Sequence, residues 1–340
     1  MFAKTLRFPL RLAVAALALF ALLAPVAQAQ TIKIATLAPD GSAWMKELRV
    51  AAAEIKAGSQ GRVEVKYFPG GVMGNDAVVL RKMRLGQLQG GVLTSSELAA
   101  VYPDAAIYSL PFLLQDWDQV KRARTQVDPL LAKGLEGKGL HMLGATGIGF
   151  AYVMSTRPVH SRAEMVKSKL WIPQGDTIAD VTFRGGGITP IPLPIGDVFT
   201  SLQTGLVDTV ANTPSGTVAL QWHGKLKYML DLPLSYVVGF MVLDQKAWQK
   251  LAPADQAIVS KAFAAAAARM DASIQRDDEA ALKAMQKQGL KVISMDAAET
   301  ARWRQIGAQV TRKLESDKAI SPALLAAVRR AAAAPAGKGR

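Results

Sequence analysis

The 340-residue chain contains no cysteine, which excludes disulfide bonds, thiolate metal sites and a cysteine nucleophile. Histidine is almost as scarce, because the sequence holds only His141, His160 and His223, and these match no metal-ligand spacing. The sequence also lacks the Gly-x-Ser-x-Gly and His-Glu-x-x-His motifs of two large classes of hydrolase. No metal site and no cofactor are predicted. The sequence disfavours an enzyme, and an exported hydrolase stays as the alternative from another functional class.

The excess of positive charge lacks the pattern of a nucleic-acid interface. Lysine and arginine number 41 against 27 aspartates and glutamates, which gives a formal net charge of +14. Acidic residues stand beside the cations, as in the Arg-Asp-Asp-Glu run at residues 276–279, and no aromatic residues alternate with them. The excess therefore predicts a solvated basic surface and no nucleic-acid partner.

Residues 1–29 have the three-part layout of a secretory signal peptide. A basic start, Lys4 to Arg11, precedes an apolar run over residues 12–23, and the small residues Ala27 and Ala29 mark a cleavage site. A membrane anchor is the alternative, but it needs about 20 apolar residues, and this run is shorter. We therefore predict export, with cleavage after Ala29.

Strand-like and helix-like patterns alternate along the chain, which predicts an α/β protein. In the first part, apolar and polar residues alternate over residues 31–37 and 62–68, on either side of a helical pattern over residues 43–57. This order gives a right-handed βαβ unit, and we expect a parallel sheet with helices on both faces. An apolar stretch at residues 234–243 is expected to return the chain to this domain.

The length of the chain predicts two domains, here called lobe I and lobe II. The chain is expected to leave lobe I near Arg157, and an Ala-rich pattern over residues 253–287 predicts one long helix. The C-terminal end is expected to fray. The predicted bounds are residues 30–151 and 236–270 for lobe I, residues 152–235 and 288–330 for lobe II, and residues 331–340 for a flexible tail.

Five motifs follow one another in a distinctive order: FPGGVMG at residues 68–74, LPFL at 110–113, KLWIP at 169–173, LQTGLVD at 202–208, and Asn212. With these motifs the chain resembles the periplasmic solute-binding receptors of TRAP transporters, the DctP type, over nearly its whole mature length. The resemblance implies a two-lobe, class II-like periplasmic binding protein with hinge strands and a long C-terminal helix, residues 253–287, that joins the lobes. It also implies capture of a small ligand in the periplasm and its delivery to TRAP membrane subunits.

Two positions depart from that family. Typical members carry an arginine where this chain has Trp171, and a second arginine at the position that aligns with Ala151. The KLW motif at residues 169–171, together with LQTG at 202–205 and Gln-Trp at 221–222, is similar instead to a subgroup linked to a periplasmic tetratricopeptide-repeat protein. Apolar ligands have been suggested for that subgroup, so the resemblance implies both such a partner and such a ligand.

The lost arginines decide which ligand we expect. A guanidinium meets a carboxylate with two charge-assisted hydrogen bonds, each contributing roughly 1.5–3 kcal/mol, whereas an unpaired buried carboxylate loses hydration at several kcal/mol. We therefore predict an apolar, aromatic or otherwise non-carboxylate ligand. The alternative is an organic acid held by a substitute cation, Lys169 or Arg184, since strand alternation puts Lys169 on the same face as Trp171.

Nine residues are predicted to bind the ligand, by aromatic faces, small apolar surfaces or polar groups: Trp171, Asn212, Phe150, Ala151, Tyr152, Trp222, Trp44, Asp76 and Lys169. Several have a structural alternative. Trp171 and Trp222 suit a protein core, and Trp44 suits an anchor for its own helix. Asp76 suits the acidic first turn of a helix.

Overall fold

The structure is a computed structural model that describes residues 29–334. Residues 1–28 of the predicted signal peptide and residues 335–340 of the predicted tail lie outside this range. Within it, no helix has the length and apolar character that a membrane span requires.

Ten strands form a mixed sheet in the order β2-β1-β3-β9-β4-β7-β5-β6, with β8 paired to β4 and β10 paired to β8. Their bounds are β1 Gln30–Thr36, β2 Val63–Phe68, β3 Gly90–Thr94, β4 Leu140–Ser155, β5 Leu170–Pro173, β6 Ile191–Leu193, β7 Thr209–Asn212, β8 Tyr228–Leu230, β9 Ser235–Asp244 and β10 Lys291–Ile293.

Twelve α-helices pack around this sheet in the described range: α1 Ala43–Gly58, α2 Asp76–Arg84, α3 Ser95–Leu98, α4 Trp117–Glu136, α5 Arg162–Met165, α6 Thr177–Gly185, α7 Val198–Thr204, α8 Pro214–Ala219, α9 Gln245–Gln249, α10 Pro253–Lys287, α11 Ala297–Ser316 and α12 Pro322–Ala333. Short polar side chains cap many of them. Ser42, for example, accepts the backbone N–H of Met45 at the start of α1, as its position before an apolar run predicts.

The 16-residue strand β4 connects the two lobes. It pairs with β9 of lobe I as far as Ala151 and with β7 of lobe II from Tyr152 onward. It is one continuous strand with irregular pairing around Gly144 and Gly149, and the positive φ of Gly149, 126°, is one that only glycine adopts easily.

The expectation of a parallel sheet in lobe I is wrong for one strand, β9. Strands β1, β2 and β3 are parallel, but β9 runs antiparallel to both β3 and β4. The reason is topological: β9 returns to lobe I from lobe II, so it runs against strands whose connections stay within lobe I.

The long helix α10 packs against both lobes, as the two-lobe fold requires. Near its start, Val259 and Phe263 lie in a lobe I core with residues of α1. Near its end, Met285 lies in a lobe II core with Trp171 and Trp222. A single rigid element of 35 residues thus borders both halves of the molecule.

The C-terminal helices divide between the lobes in an unexpected way. Helix α11 packs in lobe II, where Trp303 contacts Phe183 edge to face. Helix α12 falls in the part assigned from sequence to lobe II, yet Leu325 and Val328 are buried in lobe I against Val127 of α4. Helix α12 also continues to Ala333, so the predicted tail starts with a helical turn.

Candidate ligand-binding site

A cavity of about 400 Å³ lies between the two lobes. Both lobes, the crossing strand β4 and the long helix α10 line it. Most of the lining is apolar, and the largest apolar side chains are Trp44, Trp171, Phe183, Trp222 and Met270. A cavity of this kind suits a small molecule that presents mainly apolar surface.

Trp171 lies on β5 in the lobe II wall and is only 2% exposed. Its Nε1 donates a hydrogen bond to the carbonyl oxygen of Leu193 at 2.9 Å. Its ring meets that of Trp222 edge to face, with centroids 5.1 Å apart and planes at 81°. Trp171 therefore belongs to the lobe II core and borders the cavity at once, and its N–H is already bonded within the protein.

Four more of the predicted residues, Trp222, Trp44, Ala151 and Asn212, line the same cavity. Trp44 packs on the backbone of β9 at Gly239, where a Cβ atom would approach its ring to 2.5 Å. Asn212 accepts the backbone N–H of Thr213 through Oδ1 at 2.8 Å. Because that bond fixes the amide, the Nδ2 group is the part of Asn212 available to a ligand acceptor.

Phe150 and Tyr152 do not line the cavity. Successive side chains of a strand point to opposite faces, so Ala151 faces the cavity and its two neighbours do not. Phe150 packs edge to face with Trp117 and Tyr236 in the lobe I core, at centroid distances of 5.3 and 5.2 Å. Tyr152 packs between the apolar cores of the two lobes. Three consecutive residues of one strand cannot share one site.

The two proposed substitute cations also lie away from the cavity. Lys169 precedes β5, and its Nζ donates to the carbonyl oxygen of Gly205 at 2.8 Å on the protein surface. Arg184 is 54% exposed and pairs with Asp180 at 2.8 Å. Among the described residues no arginine lines the cavity, and its lysine is Lys46, an exposed residue of α1 that sequence reasoning missed.

Asp76 opens α2 and lines the lobe I end of the cavity, where it is 1% exposed. Its Oδ2 accepts two hydrogen bonds from Thr94, from the backbone N–H at 2.8 Å and from the hydroxyl at 3.0 Å. Its Oδ1 is buried with no hydrogen-bond partner in the described structure. Burial raises the pKa of Asp76 to about 6, although the bonds from Thr94 act in the opposite direction.

A second carboxylate joins the lobes across this end of the cavity. Asp176 caps α6 by accepting the N–H of Ala179 at 2.9 Å, and its other oxygen accepts the hydroxyl of Ser96 in lobe I at 2.8 Å. Half-buried Glu97 lies close by, and burial together with the charges of Asp76 and Asp176 raises its pKa to about 7. Sequence reasoning missed Ser96, Glu97 and Asp176, because only Asp176 carries a local signal, that of a helix cap.

Two aspartates of α10 hold adjacent residues of the crossing strand within its irregular stretch. Asp271 accepts the backbone N–H of Gly147 at 2.9 Å. Two helical turns farther along, Asp278 accepts the N–H of Ser215 at 2.9 Å, and the Ser215 hydroxyl donates to the carbonyl of Ile148 at 3.0 Å. The hinge region is therefore fixed to the long helix from both lobes, a role that the sequence alone did not reveal.

Two α/β lobes that are joined by crossing strands and enclose a mainly apolar cavity define a solute-binding receptor. The chain belongs to family 7 of the bacterial extracellular solute-binding proteins, the DctP family, whose model matches residues 34–317. This is a family of periplasmic TRAP solute receptors and not one of enzymes, so the class of protein predicted from the sequence is confirmed.

Relatives and solved structures agree with this family. A C4-dicarboxylate-binding periplasmic protein DctP from Rhodobacter capsulatus is 25% identical over 255 residues, covering 73% of this chain and 75% of that protein. The sugar acid binding protein DctPAm from Advenella mimigardefordensis, in complex with galactonate, has a TM-score of 0.83 at 22% identity, covering 89% of this chain and 98% of that one. DctP7 of Bordetella pertussis, a receptor binding pyroglutamic acid, has a TM-score of 0.82 at 21% identity and covers 88% and 100%. The predicted two-lobe α/β fold with its long C-terminal helix is confirmed.

Proposed function

We propose that this TRAP receptor takes a predominantly apolar or aromatic ligand and not a simple carboxylate. The observation that carries the proposal is the cavity lining: Trp171 and Ala151 line it, and no arginine among the described residues does. The resemblance to TRAP receptors implies an arginine at each of these two positions in typical members, which supports the proposal. Burying an aromatic ring of about 200 Å² contributes about 5 kcal/mol at 25 cal/mol per Å². This gain is of the same order as that of the two hydrogen bonds that an arginine clamp would supply.

The ligands named for the relatives differ from the ligand proposed here. The Rhodobacter capsulatus, Advenella mimigardefordensis and Bordetella pertussis proteins are named for a dicarboxylate, galactonate and pyroglutamic acid. Their likeness supports a small-molecule ligand for this chain but leaves its chemistry open. At the lobe I end of this cavity a carboxylate would meet Asp76 and Asp176, both acidic, and the lysine that lines the cavity, Lys46, is an exposed residue. We propose that Trp171, Trp222, Trp44, Ala151, Asn212 and Asp76 contact the ligand.

We also propose the setting in which the receptor works. Cleavage after Ala29 would release it to the periplasm, where it acts without catalysis and hands its ligand to TRAP membrane subunits. The likeness of residues 169–171 and 221–222 to the tetratricopeptide-associated subgroup supports a periplasmic repeat protein as a further partner. Mass spectrometry of the mature N-terminus tests the cleavage site, and co-purification from the native periplasm tests the partner.

A thermal-shift screen tests the ligand class. Binding stabilises the closed, folded form by mass action, so ligands raise the melting temperature. We expect indole-like and other aromatic compounds to raise it, and succinate, galactonate and pyroglutamate to leave it unchanged. Strong stabilisation by the acids together with no effect of the aromatic compounds would contradict the proposal.

A further inference from the structure

The lobe I end of the cavity contains an acceptor that the protein itself leaves without a donor. Asp76 is 1% exposed and lines the cavity, yet its Oδ1 bonds to no group of residues 29–334. Buried side-chain oxygens in native proteins nearly always have a hydrogen-bond partner. The position of Asp76 at the cavity makes a ligand the natural source of that partner.

The helix does not need Asp76 as a cap. Asn75 fills that role, since its Oδ1 accepts the N–H of Val78 at 3.0 Å. The link from Asp76 to β3 uses Oδ2 alone, which accepts both hydrogen bonds from Thr94. An asparagine at position 76 would satisfy those two bonds equally well. The second oxygen of the carboxylate therefore has no structural task in the fold.

The described polar groups around Asp76 offer it no free donor, because their hydroxyls are already within hydrogen-bond reach of other oxygens, and the nearby carboxylates are further acceptors. The Ser96 hydroxyl donates to Asp176, and the hydroxyls of Ser95 and Ser109 lie 3.2 Å apart, within hydrogen-bond reach of each other. Glu97 lies close enough for the charges of Asp76 and Asp176 to raise its pKa. An anion at this end of the cavity would be repelled, whereas a donor would be bound.

We propose that the ligand carries a hydrogen-bond donor head, an ammonium or a hydroxyl group, which binds Oδ1 of Asp76 while its apolar body lies against Trp171 and Trp222. This inference rests on the proposed function and names the polar end of the same ligand. Both head groups are hydrogen-bond donors, and an ammonium is also attracted to the charges of Asp76 and Asp176.

Four probes with the same phenylethyl body test the inference: 2-phenylethylamine, 2-phenylethanol, 3-phenylpropionate and ethylbenzene. Calorimetric titration of the mature protein is expected to give the amine or the alcohol at least tenfold tighter binding than either ethylbenzene or the carboxylate. In Asp76→Asn the tenfold preference over the carboxylate is expected to disappear, because the amide N–H₂ donates to a carboxylate as well as to a hydroxyl and offers an ammonium no acceptor.

Asp104→Asn provides the matched control. Asp104 is another buried aspartate of lobe I, 8% exposed, but it bonds the backbone N–H of Ser321 and does not line the cavity. Asp104→Asn should keep the preference for a donor head. Equal binding of all four probes, or a preference over the carboxylate that survives in Asp76→Asn, overturns this inference alone. Tightest binding of the carboxylate, or binding of none of the probes, overturns the proposed function as well.

Discussion

The two ends of the cavity differ in their chemistry. At the lobe II end, Trp171 and Trp222 form an apolar wall, and the Trp171 N–H is bonded to Leu193. At the lobe I end, Asp76 offers a buried oxygen that no group of residues 29–334 bonds. Under our proposal the ligand has two matching ends, an apolar body against the tryptophans and a donor head at Asp76.

The largest effect is expected when the apolar wall of the cavity is removed. Trp171→Ala deletes a ring that is 2% exposed and breaks its bond to Leu193. Aromatic-to-alanine changes in a core cost about 3–5 kcal/mol of unfolding free energy, so we expect a loss of that size and no detectable ligand binding. Trp171→Phe keeps most of the apolar face and should lose less than half as much. Urea denaturation measures both variants, and a loss under about 1 kcal/mol for alanine would place Trp171 outside the core.

The acidic end is tested by pH. Burial raises the pKa of Asp76 from 3.8 to about 6 in the folded protein, so the folded state holds more protons than the unfolded state between those values. The free energy of unfolding therefore falls as the pH rises through this window, and it stays low above it. Each pKa unit corresponds to 1.36 kcal/mol, so the raised pKa of Asp76 lowers the free energy of unfolding by about 3 kcal/mol over the whole window.

Asp76→Asn removes this contribution. The fall in unfolding free energy from pH 4 to pH 7.5 should be smaller in the variant by about 2.4 kcal/mol, because pH 4 already lies just above the unfolded pKa of 3.8. Asp278, whose raised pKa does not depend on Asp76, remains in both proteins and cancels in the comparison. Glu97 does not cancel fully, because burial and the charge of Asp76 both raise its pKa, so the variant also lowers the pKa of Glu97 and its change adds to the difference. Identical pH profiles for the two proteins would show that Asp76 is not a buried, costly carboxylate.

A smaller effect is expected where the two ends meet. Ser96→Ala removes the hydroxyl that donates to Asp176 across the lobes at 2.8 Å, while Asp176 keeps its bond to Ala179. A hydrogen bond to a charged group contributes about 1.5 kcal/mol, which corresponds to roughly tenfold in affinity if it forms only in the closed state. Calorimetry with the best probe measures this loss. Unchanged affinity would mean that the bond does not favour closure.

The smallest effect is expected outside the cavity. Lys169→Ala and Arg184→Ala remove surface side chains whose partners are Gly205 and Asp180. Stability should change by less than about 1 kcal/mol, and binding of any probe should stay within about twofold, the spread expected of a side chain without a ligand contact. A tenfold loss in either variant would restore the organic-acid alternative with a substitute cation.

Local patterns predicted most of the elements but not how they meet. The helices over Pro253–Lys287 and Ala297–Ser316 and the return strand β9 follow from periodicity, capping and apolar runs. The apolar stripe of α12 fits either lobe equally well, so its place beside α4 depends on tertiary packing. The site shows the same limit. Alternation separates Ala151 from its neighbours but does not say which face lines the cavity.

The acidic end of the cavity was harder to predict for a related reason. Asp76 and Asp176 are 100 positions apart, and each has an ordinary local explanation at the start of a helix. Their common location at one end of the cavity appears only when the lobes are folded together. The unpaired Oδ1 of Asp76 is a property of the packed structure and leaves no trace in the sequence.

The most direct test is a crystal structure of the mature protein purified from its native host without added ligand. We predict electron density in the inter-lobe cavity for a molecule whose apolar body packs on Trp171 and whose donor atom lies within about 3 Å of Asp76 Oδ1. Density for a carboxylate bound by a cationic side chain, with Asp76 turned away from it, would contradict the account.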